Sequence, residues 1–343
     1  MKIKNKLLLS ITESDLINGH FYNDQITEIA SNCFLDMETL ISVDCPNVIK
    51  IGNICFYNNN SLTTLKLPLL NQCGYSCFRS NDLLTTLNLP LLNKCGKECF
   101  YNNNLLITLN FPLLKKCGND CFSYNNSLIA LNFPLLKKCG NDCFSSNNSL
   151  IALNFPLLKK CGNYCFFHNS SLTALNIPLL KRCDNNCFYY NTSLTTLNIG
   201  DKKLKVENVD GDCFVIENEK NKDGITIYSG YNLKYLPLES NDKCFVAKKD
   251  NFTAHGVDIH KAVEDLLYKI SADKLKNEPV YPDTIVTIKH FKAITGACDL
   301  GMSDWKLQNN IIVDELKASE LLILLEKTNA YGLDKFKQLY QNN

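Results

Sequence analysis

The central part of the chain alternates hydrophobic and polar residues in a unit that returns every 22 residues. The unit beginning at Ser61 reads S-L-T-T-L-K-L-P-L-L-N-Q-C-G-Y-S-C-F-R-S-N-D, and five near copies follow it. Prolines keep this step without an insertion between Pro46 and Pro178, and phenylalanines keep it between Phe34 and Phe188. Because so short a unit cannot bury its own hydrophobic side, we expect the units to stack as a solenoid.

Within each unit, the segment L-x-x-L-x-L-P predicts a short strand. Leu65 and Leu67 point to one side of the chain while Thr64 and Lys66 point to the other, which is the two-residue alternation of a pleated segment. The next segment, L-L-x-x-C-G-x-x-C-F, supplies further inward side chains, and an asparagine-rich turn leads to the next unit. The pattern therefore predicts a parallel sheet and several hydrophobic columns that line one core.

These residues resemble the Treponema-type, or BspA-like, leucine-rich repeats, whose pattern is roughly L-x-x-I-x-L-P-x-x-V-x-x-I-G-x-x-A-F. Cys73 stands where that family usually has Ile, Cys77 stands where it has Ala, and one residue fewer separates the proline from the glycine. The resemblance covers about residues 20–215. It implies an α/β-type repeat solenoid of about nine turns, and it implies little about function, because such folds bind many unrelated partners.

Changes in the pattern divide the chain into three regions. We expect an N-terminal cap in residues 1–25, the solenoid in residues 26–216, and a small, mainly helical α+β module in residues 225–343. The polar run 217–223, closed by Gly224, is the expected boundary.

The module is predicted to contain two strands followed by helices. The strands are expected at 225–228 and 244–247, paired around residues 231–238. Apolar residues at helical spacing predict the helices, the longest of which has a wide apolar stripe suited to a small core. The predicted helices are 258–270, 284–294, 304–308, 313–328 and 333–340.

Two segments of the module, A-H-G-V-D-I-H-K-A-V-E-D-L-L-Y-K and F-K-A-I-T-G-A-C-D-L-G, resemble a module of bacteriophage and prophage repeat proteins. In those proteins the module accompanies varied N-terminal repeats. The resemblance implies a phage or prophage origin, with a host protein such as a defence component as the expected target. It implies no activity for the module itself.

Cysteine is unusually frequent, with 18 residues in the chain. Twelve of them form two columns that step by 22 residues, one from Cys73 to Cys183 and the other from Cys77 to Cys187. Stacked turns place like cysteines about 5 Å apart, so the columns permit cross-links in an oxidising compartment and act as small buried hydrophobes in a reducing one. We expect them to be reduced, buried and free of metal, because C-x3-C without histidine lacks the zinc pattern.

The N-terminal apolar run ends before Glu13 and is too short for a signal-peptide core or a membrane span. The sequence therefore predicts a cytoplasmic protein of the producing or infected cell, without membrane contact. It contains no phosphate-binding glycine loop, no H-E-x-x-H and no G-x-S-x-G, and we expect no cofactor.

The net charge of +1 conceals a basic stretch, because residues 61–200 carry 12 Lys and Arg against 5 Asp and Glu. Most of these basic residues stand in pairs one repeat apart, so stacking must align them along one flank. This flank, termed the lysine ridge, consists of Lys115, Lys116, Lys137, Lys138, Lys159, Lys160, Lys181 and Arg182. The ridge suits an acidic protein partner; the alternatives are salt-sensitive binding of nucleic acid through its phosphates and a merely solvating role.

Aromatic residues in the turns are the second candidate contact. Tyr124, His168 and Tyr190 occupy one repeat position, whereas the sheet face carries mostly Thr, Ala and Asn, which are weak anchors for a partner. Together with the lysine ridge, these residues predict a non-enzymatic scaffold that binds a protein.

An enzymatic alternative rests on the module, where a thiol and a histidine can form a nucleophile and a base. The candidates are His255, Asp265, Lys269, His290 and Cys298. An ordinary structural role is the competing interpretation, since Asp265 and Lys269 stand four apart on a predicted helix. The module is also a candidate for self-association.

Overall fold

The computed structural model of the chain describes residues 1–233, 243–276, 278–297 and 299–341, without the side chains of 299–301 and 303–304. The chain divides into two units. The first consists of Met1–Lys220 with Tyr228–Cys244, and the second consists of Asn221–Ile227 with Phe245–Asn343. Each unit has hydrophobic clusters of its own.

One side of the first unit is built from nine short strands, one for each turn, as the 22-residue period predicts. The pairing is parallel and in register, so that Ala152 faces Ala174 and Leu153 faces Leu175. Along this column, backbone pairing between neighbouring strands runs through successive groups of three, two and four strands. The nine strands are His20–Tyr22, Ser42–Asp44, Thr64–Lys66, Thr86–Asn88, Thr108–Asn110, Ala130–Asn132, Ala152–Asn154, Ala174–Ile177 and Thr196–Ile199.

A second column of shorter strands carries the residues before each C-G pair. Single backbone bridges at Lys116 and Lys138 continue this column between its longer strands. The strands are Leu7–Ser10, Glu28–Ile29, Lys50–Ile51, Gln72–Cys73, Lys94–Cys95, Lys160–Cys161 and Arg182–Cys183. The predicted parallel-strand solenoid of about nine turns is thus confirmed.

Antiparallel strands close the solenoid at both ends. At the N-terminal end, Lys2–Lys4 pairs with Leu7–Ser10, and a 3-10 turn at Glu13–Asp15 follows. At the C-terminal end, Lys202–Val209 pairs with the last solenoid strand and then with Asp212–Lys222. The stacking already includes residues of the predicted cap, since Leu7–Ser10 and His20–Tyr22 belong to the two columns.

Identical side chains stack inside the turns. The phenylalanine rings from Phe34 to Phe188 lie 4.8–5.9 Å apart between neighbouring turns, with nearly parallel planes. The leucines of the strands and the twelve columnar cysteines are buried in the same cluster. The prediction that the cysteine columns are buried is confirmed.

A column of buried asparagines runs beside the phenylalanines. Asn125 donates from Nδ2 to the carbonyl of Phe122 at 2.8 Å, and its Oδ1 accepts the backbone N–H of Asn103 at 2.9 Å. The Oδ1 contact to the preceding turn recurs along the solenoid. These amides therefore satisfy backbone groups of two turns at once, which a buried polar group requires.

In the N-terminal part of the second unit, a helix packs against strands. Lys243–Lys249 pairs in antiparallel fashion with Phe252–Gly256. Helix α1 (Ile259–Leu275) starts at Asp258, whose carboxylate accepts the N–H of Lys261 at 2.8 Å. A further strand, Ile225–Asn232, begins where the strand at 225–228 is predicted. One cluster of the unit joins the strand residues Ile225, Ala247 and Ala254 to Ala262 and Leu266 of α1.

Four further helices enclose the other cluster of the second unit. Their bounds are α2 Ile288–Thr295, α3 Asp299–Gln308, α4 Ala318–Thr328 and α5 Leu333–Leu339. The cluster contains Phe291 of α2, Leu321 and Leu325 of α4, and Phe336 of α5.

Two predictions for the second unit are wrong in part. The starts of the predicted helices 284–294 and 313–328 form the antiparallel strands Ile285–Thr287 and Glu315–Lys317. All three residues of Ile285–Thr287 are β-branched, and Val286 is buried in the strand pair. These residues therefore favour a paired strand over a further turn of helix. Most of the predicted loop at 231–238 lies outside the described residues.

Candidate partner-binding surface

The lysine ridge follows the second column of strands. Backbone bridges join Lys94 to Lys116, Lys116 to Lys138 and Lys138 to Lys160, and Lys160 pairs with Arg182. In-register parallel strands place such neighbours about 4.8 Å apart. The structure therefore aligns one side chain of each predicted pair and extends that column by Lys94.

The other member of each pair forms a second column beside the first. The backbone N–H of Lys137 donates to the carbonyl of Lys115, that of Lys159 to Lys137, and that of Lys181 to Lys159, at 3.0–3.1 Å. The residue that follows each pair is a buried cysteine, such as Cys117, so strand alternation turns the second basic residue of each pair outward. The first basic residue of each pair is exposed as well. The ridge is thus two side chains wide.

All eight residues of the lysine ridge are exposed. Arg182 contacts Asp184 at 3.1 Å, whereas the seven lysines have no ion pair to any described residue. Like charges that face each other across neighbouring strands repel. The ridge therefore presents positive charge that the described part of the chain leaves uncompensated.

The basic column has a defined start. In earlier turns the same strand position is held by Glu28, Lys50 and Gln72, and Lys50 lies 4.0 Å from the carboxylate of Glu28. Because Gln72 carries no charge, the continuous basic column begins at Lys94.

Tyr124, His168 and Tyr190 all adopt left-handed backbone, with φ between 54° and 60°. The Tyr124 ring lies 5.2 Å from Tyr101, and the His168 ring lies 6.1 Å from Tyr190. The intervening turn has Ser146 at this position. The predicted aromatic residues therefore form two separate patches.

Arg79 is a surface residue that the sequence analysis missed. Its guanidinium lies 4.4 Å from the ring centre of Tyr101 and 5.8 Å from that of Tyr57, and it forms an ion pair with Glu98. The signal was present in the sequence, because Tyr57, Arg79 and Tyr101 stand 22 residues apart. Its charge is thus shared between two aromatic faces and a carboxylate.

The residues proposed for catalysis have structural contacts. His255 is exposed and faces Val246 across the strand pair. Asp265 forms an ion pair with Lys261 at 2.9 Å, and Lys269 donates to the carbonyl of Thr253 at 2.9 Å. Cys298 lies outside the described residues.

His290 is half-buried, and burial lowers its pKa. Its Nε2 atom has no hydrogen-bond partner among the residues that the structure describes. Within the same part of the chain, no cluster of three or more His, Cys, Asp or Glu side chains is arranged for a metal ion. None of the described helices combines the length and the apolar character that crossing a membrane requires.

Comparison with known proteins gives a family match and several structural neighbours. The model of the BspA type leucine rich repeat region matches in six copies, over residues 13–129 and 93–220. No curated protein matches the sequence.

Among solved structures, a leucine rich cell surface protein from Faecalibacterium prausnitzii is 18% identical with a TM-score of 0.41, over 58% of this chain and 52% of that one. This chain thus spans about half the length of that protein. The T. pallidum leucine rich repeat protein is 20% identical with a TM-score of 0.35, over 49% and 72% of the two chains. A leucine-rich repeat protein from Bacteroides ovatus is 15% identical with a TM-score of 0.28, over 54% and 75%.

Proposed function

Because the chain belongs to the BspA-type leucine-rich repeat family, we propose that it is a protein-binding scaffold that captures an acidic partner along the lysine ridge. The observation that carries this proposal is the in-register basic column from Lys94 to Arg182, in which the lysines lack ion pairs within the described residues. An acidic partner supplies the missing counter-charges.

Electrostatic complementarity acts mainly on how fast partners meet and on which partner is accepted. The ridge offers a row of charges at the spacing of neighbouring strands. A partner with a row of carboxylates contacts several of these lysines at once. Dissolved salt weakens such exposed contacts, because it screens charges that are more than about 10 Å apart at 0.1 M salt. We therefore expect binding that is fast at low salt and strongly weakened at high salt.

The test compares two charge-reversal variants of the full chain. The ridge variant carries Lys116→Glu, Lys138→Glu and Lys160→Glu. The control carries Lys2→Glu, Lys4→Glu and Lys6→Glu, which change the net charge equally at the N-terminal hairpin. The probes are a poly-glutamate peptide and a single-stranded oligo-thymidine of equal charge, and the association rate is measured at several salt concentrations.

The proposal predicts that the ridge variant associates with poly-glutamate at least about tenfold more slowly, while the control keeps its rate. Preference for the oligonucleotide, with a steep dependence of affinity on salt, supports nucleic-acid binding instead. Equal effects of both variants would contradict a specific role for the ridge.

A finer form of the proposal concerns origin and target. The resemblance of two module segments to phage modules supports a phage-encoded chain that acts in the cytoplasm on a host protein, for example a defence component. Recovery of one host protein by the full chain, but not by the ridge variant, is the expected outcome of a pull-down. Equal recovery by both forms would contradict the ridge as the contact.

The enzymatic alternative makes a different prediction, since it depends on His255 and Cys298. Ridge reversal would then leave activity unchanged, and His255→Ala or Cys298→Ala would abolish it with the fold intact.

A further inference from the structure

Thiol groups from the two cysteine columns approach each other in pairs. Each pair joins a first-column cysteine to the second-column cysteine of the following turn, 26 residues later. The Sγ–Sγ distances are 3.1 Å, 3.2 Å, 3.2 Å, 3.3 Å and 3.5 Å in chain order. These pairs, termed the thiol rungs, are Cys73–Cys99, Cys95–Cys121, Cys117–Cys143, Cys139–Cys165 and Cys161–Cys187.

The Sγ–Sγ distances of the rungs are shorter than the strand spacing. First-column thiols also hydrogen-bond other thiols, since Cys117 contacts Cys121 of its own turn and Cys139 contacts Cys161 of the next. Like cysteines of neighbouring turns are separated by the strand spacing of about 4.8 Å, whereas a disulfide needs sulfur atoms about 2.05 Å apart. A rung therefore needs the sulfurs to approach by only about 1–1.5 Å. The side chains face each other inside one buried cluster, so the backbone stacking already sets their separation.

We propose that the thiol rungs are modification sites at which a small hydroperoxide joins each turn of the solenoid to the next by a disulfide. The partly exposed first-column thiols are the entry points for the oxidant. Cys117 and Cys139 are each 8% exposed, while their rung partners Cys143 and Cys165 are fully buried. Oxidation at these rungs begins at the outer sulfur and ends inside the core, whereas both thiols of the Cys161–Cys187 rung are fully buried, so that rung should close last.

The chemistry balances within one rung and one peroxide. The thiolate of Cys117 attacks one oxygen of hydrogen peroxide and the O–O bond breaks, which leaves a sulfenic acid on Cys117. The departing hydroxide takes up the proton that the Cys117 thiol released and becomes one water. The sulfur of Cys143 then attacks the sulfenic sulfur, the S–O bond breaks, and the departing hydroxide takes the thiol proton as a second water. Two thiols lose two electrons, and the peroxide gains them.

Burial raises the pKa of Cys117 well above its ordinary value, so this outer thiol is almost entirely protonated at neutral pH. The first step is therefore slow at neutral pH and accelerates as the pH rises. Reduced rungs persist in reducing surroundings, and closed rungs form only when oxidant is present.

The series of thiol rungs, termed the ladder, has a defined N-terminal end. In the two turns before Cys73, isoleucine occupies the first-column position, as Ile29 and Ile51. Cys77 consequently has no first-column thiol in the preceding turn, and its Sγ contacts the carbonyl of Gly52 at 3.4 Å. Replacing Ile51 with cysteine places a thiol 26 residues before Cys77 and extends the ladder by one rung.

The experiment treats the folded full-length chain with hydrogen peroxide at mildly alkaline pH and measures the intact mass. The remaining thiols are then blocked, and cross-linked peptides are mapped. We expect a loss of about 10 Da for five closed rungs, since each disulfide releases two hydrogen atoms. Cross-linked peptides should join cysteines 26 residues apart, and dithiothreitol should reverse them.

Two variants make the assignment specific. Cys99→Ala should lose the cross-link to Cys73 and keep the other four, and Ile51→Cys should add one to Cys77. Cross-links 22 or 4 residues apart, links between molecules, or oxidised thiols without any cross-link would overturn the proposal. A circular dichroism spectrum and melting curve of each variant confirm that the solenoid is folded in the comparison.

Discussion

The buried asparagine of each turn holds two turns together through its two amide atoms. In the middle of the solenoid, Asn125 receives the N–H of Asn103 on Oδ1 and donates from Nδ2 to the carbonyl of Phe122. Removing this side chain leaves two buried backbone groups without these partners. Each such group costs about 1–3 kcal/mol.

We therefore expect Asn125→Ala to lower the free energy of unfolding by about 2–5 kcal/mol. The matched control is Asn126→Ala, because Asn126 is exposed and its side chain bonds to no backbone group, only to the side chains of Asn104 at 3.1 Å and Asn148 at 3.4 Å among the described residues. The control should stay within about 0.5 kcal/mol of the parent chain. Urea denaturation measures both, and an equal loss in the two variants would contradict the structural role of the buried amide.

A carboxylate in the same solenoid makes stability depend on pH. Burial, together with the nearby charge of Asp120, raises the pKa of Asp142 to about 6 from its ordinary 3.8. The folded chain therefore holds a proton that the unfolded chain has released between about pH 4 and pH 6. This contribution to stability is largest at low pH and is lost as the pH rises through 6.

Asp142→Asn removes that loss and keeps the backbone, because asparagine tolerates the φ of 50° at this position. We expect the variant to melt above the parent at pH 7 and at the same temperature at pH 4. The exposed Asp82→Asn serves as the control for the general effect of losing a carboxylate. A melting difference for Asp142→Asn that is equal at both pH values would contradict the assigned shift.

At the residue scale, the sequence predicts which positions repeat and which of them point inward. It also predicts that both cysteine columns are buried. It does not predict the thiol rungs, because the repeat aligns Cys73 with Cys95 while the path of the turn brings Cys73 to Cys99. Sequence spacing reports which residues are equivalent. Contact between unlike positions of neighbouring turns depends on how the backbone bends between them.

At the scale of the elements, the second column of strands brings like charges close together. Lys116, Lys138 and Lys160 follow one another across parallel bridges without ion pairs to described residues. Like charges at this spacing destabilise a sheet, and dissolved salt screens them. Added salt should therefore stabilise the folded chain.

We expect Lys116→Gln, Lys138→Gln and Lys160→Gln together to raise the melting temperature by a few degrees at low salt. The gain should shrink above about 0.5 M salt, where screening already removes the repulsion. Lys50→Gln is the control, since Lys50 lies near Glu28 and its loss should not stabilise the chain. A gain that persists unchanged at high salt would point to packing and not to charge.

Local pattern predicts the solenoid strands well and the second unit less well. The strand Ile285–Thr287 pairs with Glu315–Lys317, and Val286 faces Leu316 thirty residues away. The Glu-Leu-Lys segment has no strand preference of its own, so its conformation depends on a partner that local periodicity cannot reveal. The part of the predicted helix 313–328 that carries the apolar stripe is helical, as α4 (Ala318–Thr328), and it ends at the predicted residue.

On the scale of the whole molecule, the two units differ in what holds them together. The solenoid depends on contacts between neighbouring repeats, whereas the second unit has a cluster that includes Ile225 and Ile227 from before residue 245. A fragment that contains those residues carries the full cluster. This defines where an independently folding fragment should begin.

We expect a fragment of residues 221–343 to melt cooperatively by itself. The matched fragment of residues 245–343 lacks Ile225 and Ile227 and should melt at a lower temperature or without a clear transition. Calorimetry of the two fragments measures the difference. If the longer fragment shows no cooperative transition, the predicted module at 225–343 needs further parts of the chain for folding.

The constant 22-residue step also makes the length of this protein open to change in evolution. Residues 106–127 and 128–149 are identical at 20 of 22 positions, so one whole repeat can be gained or lost without changing the pattern on either side of it. Excision of residues 128–149 joins Ser127 to Leu150, which is followed by the same residues as Leu128. The stacked phenylalanines, asparagines and cysteines then meet the equivalent residues of the next turn, and the solenoid becomes one turn shorter. A gain or loss of one whole repeat therefore preserves the contacts between neighbouring turns and changes only the number of turns.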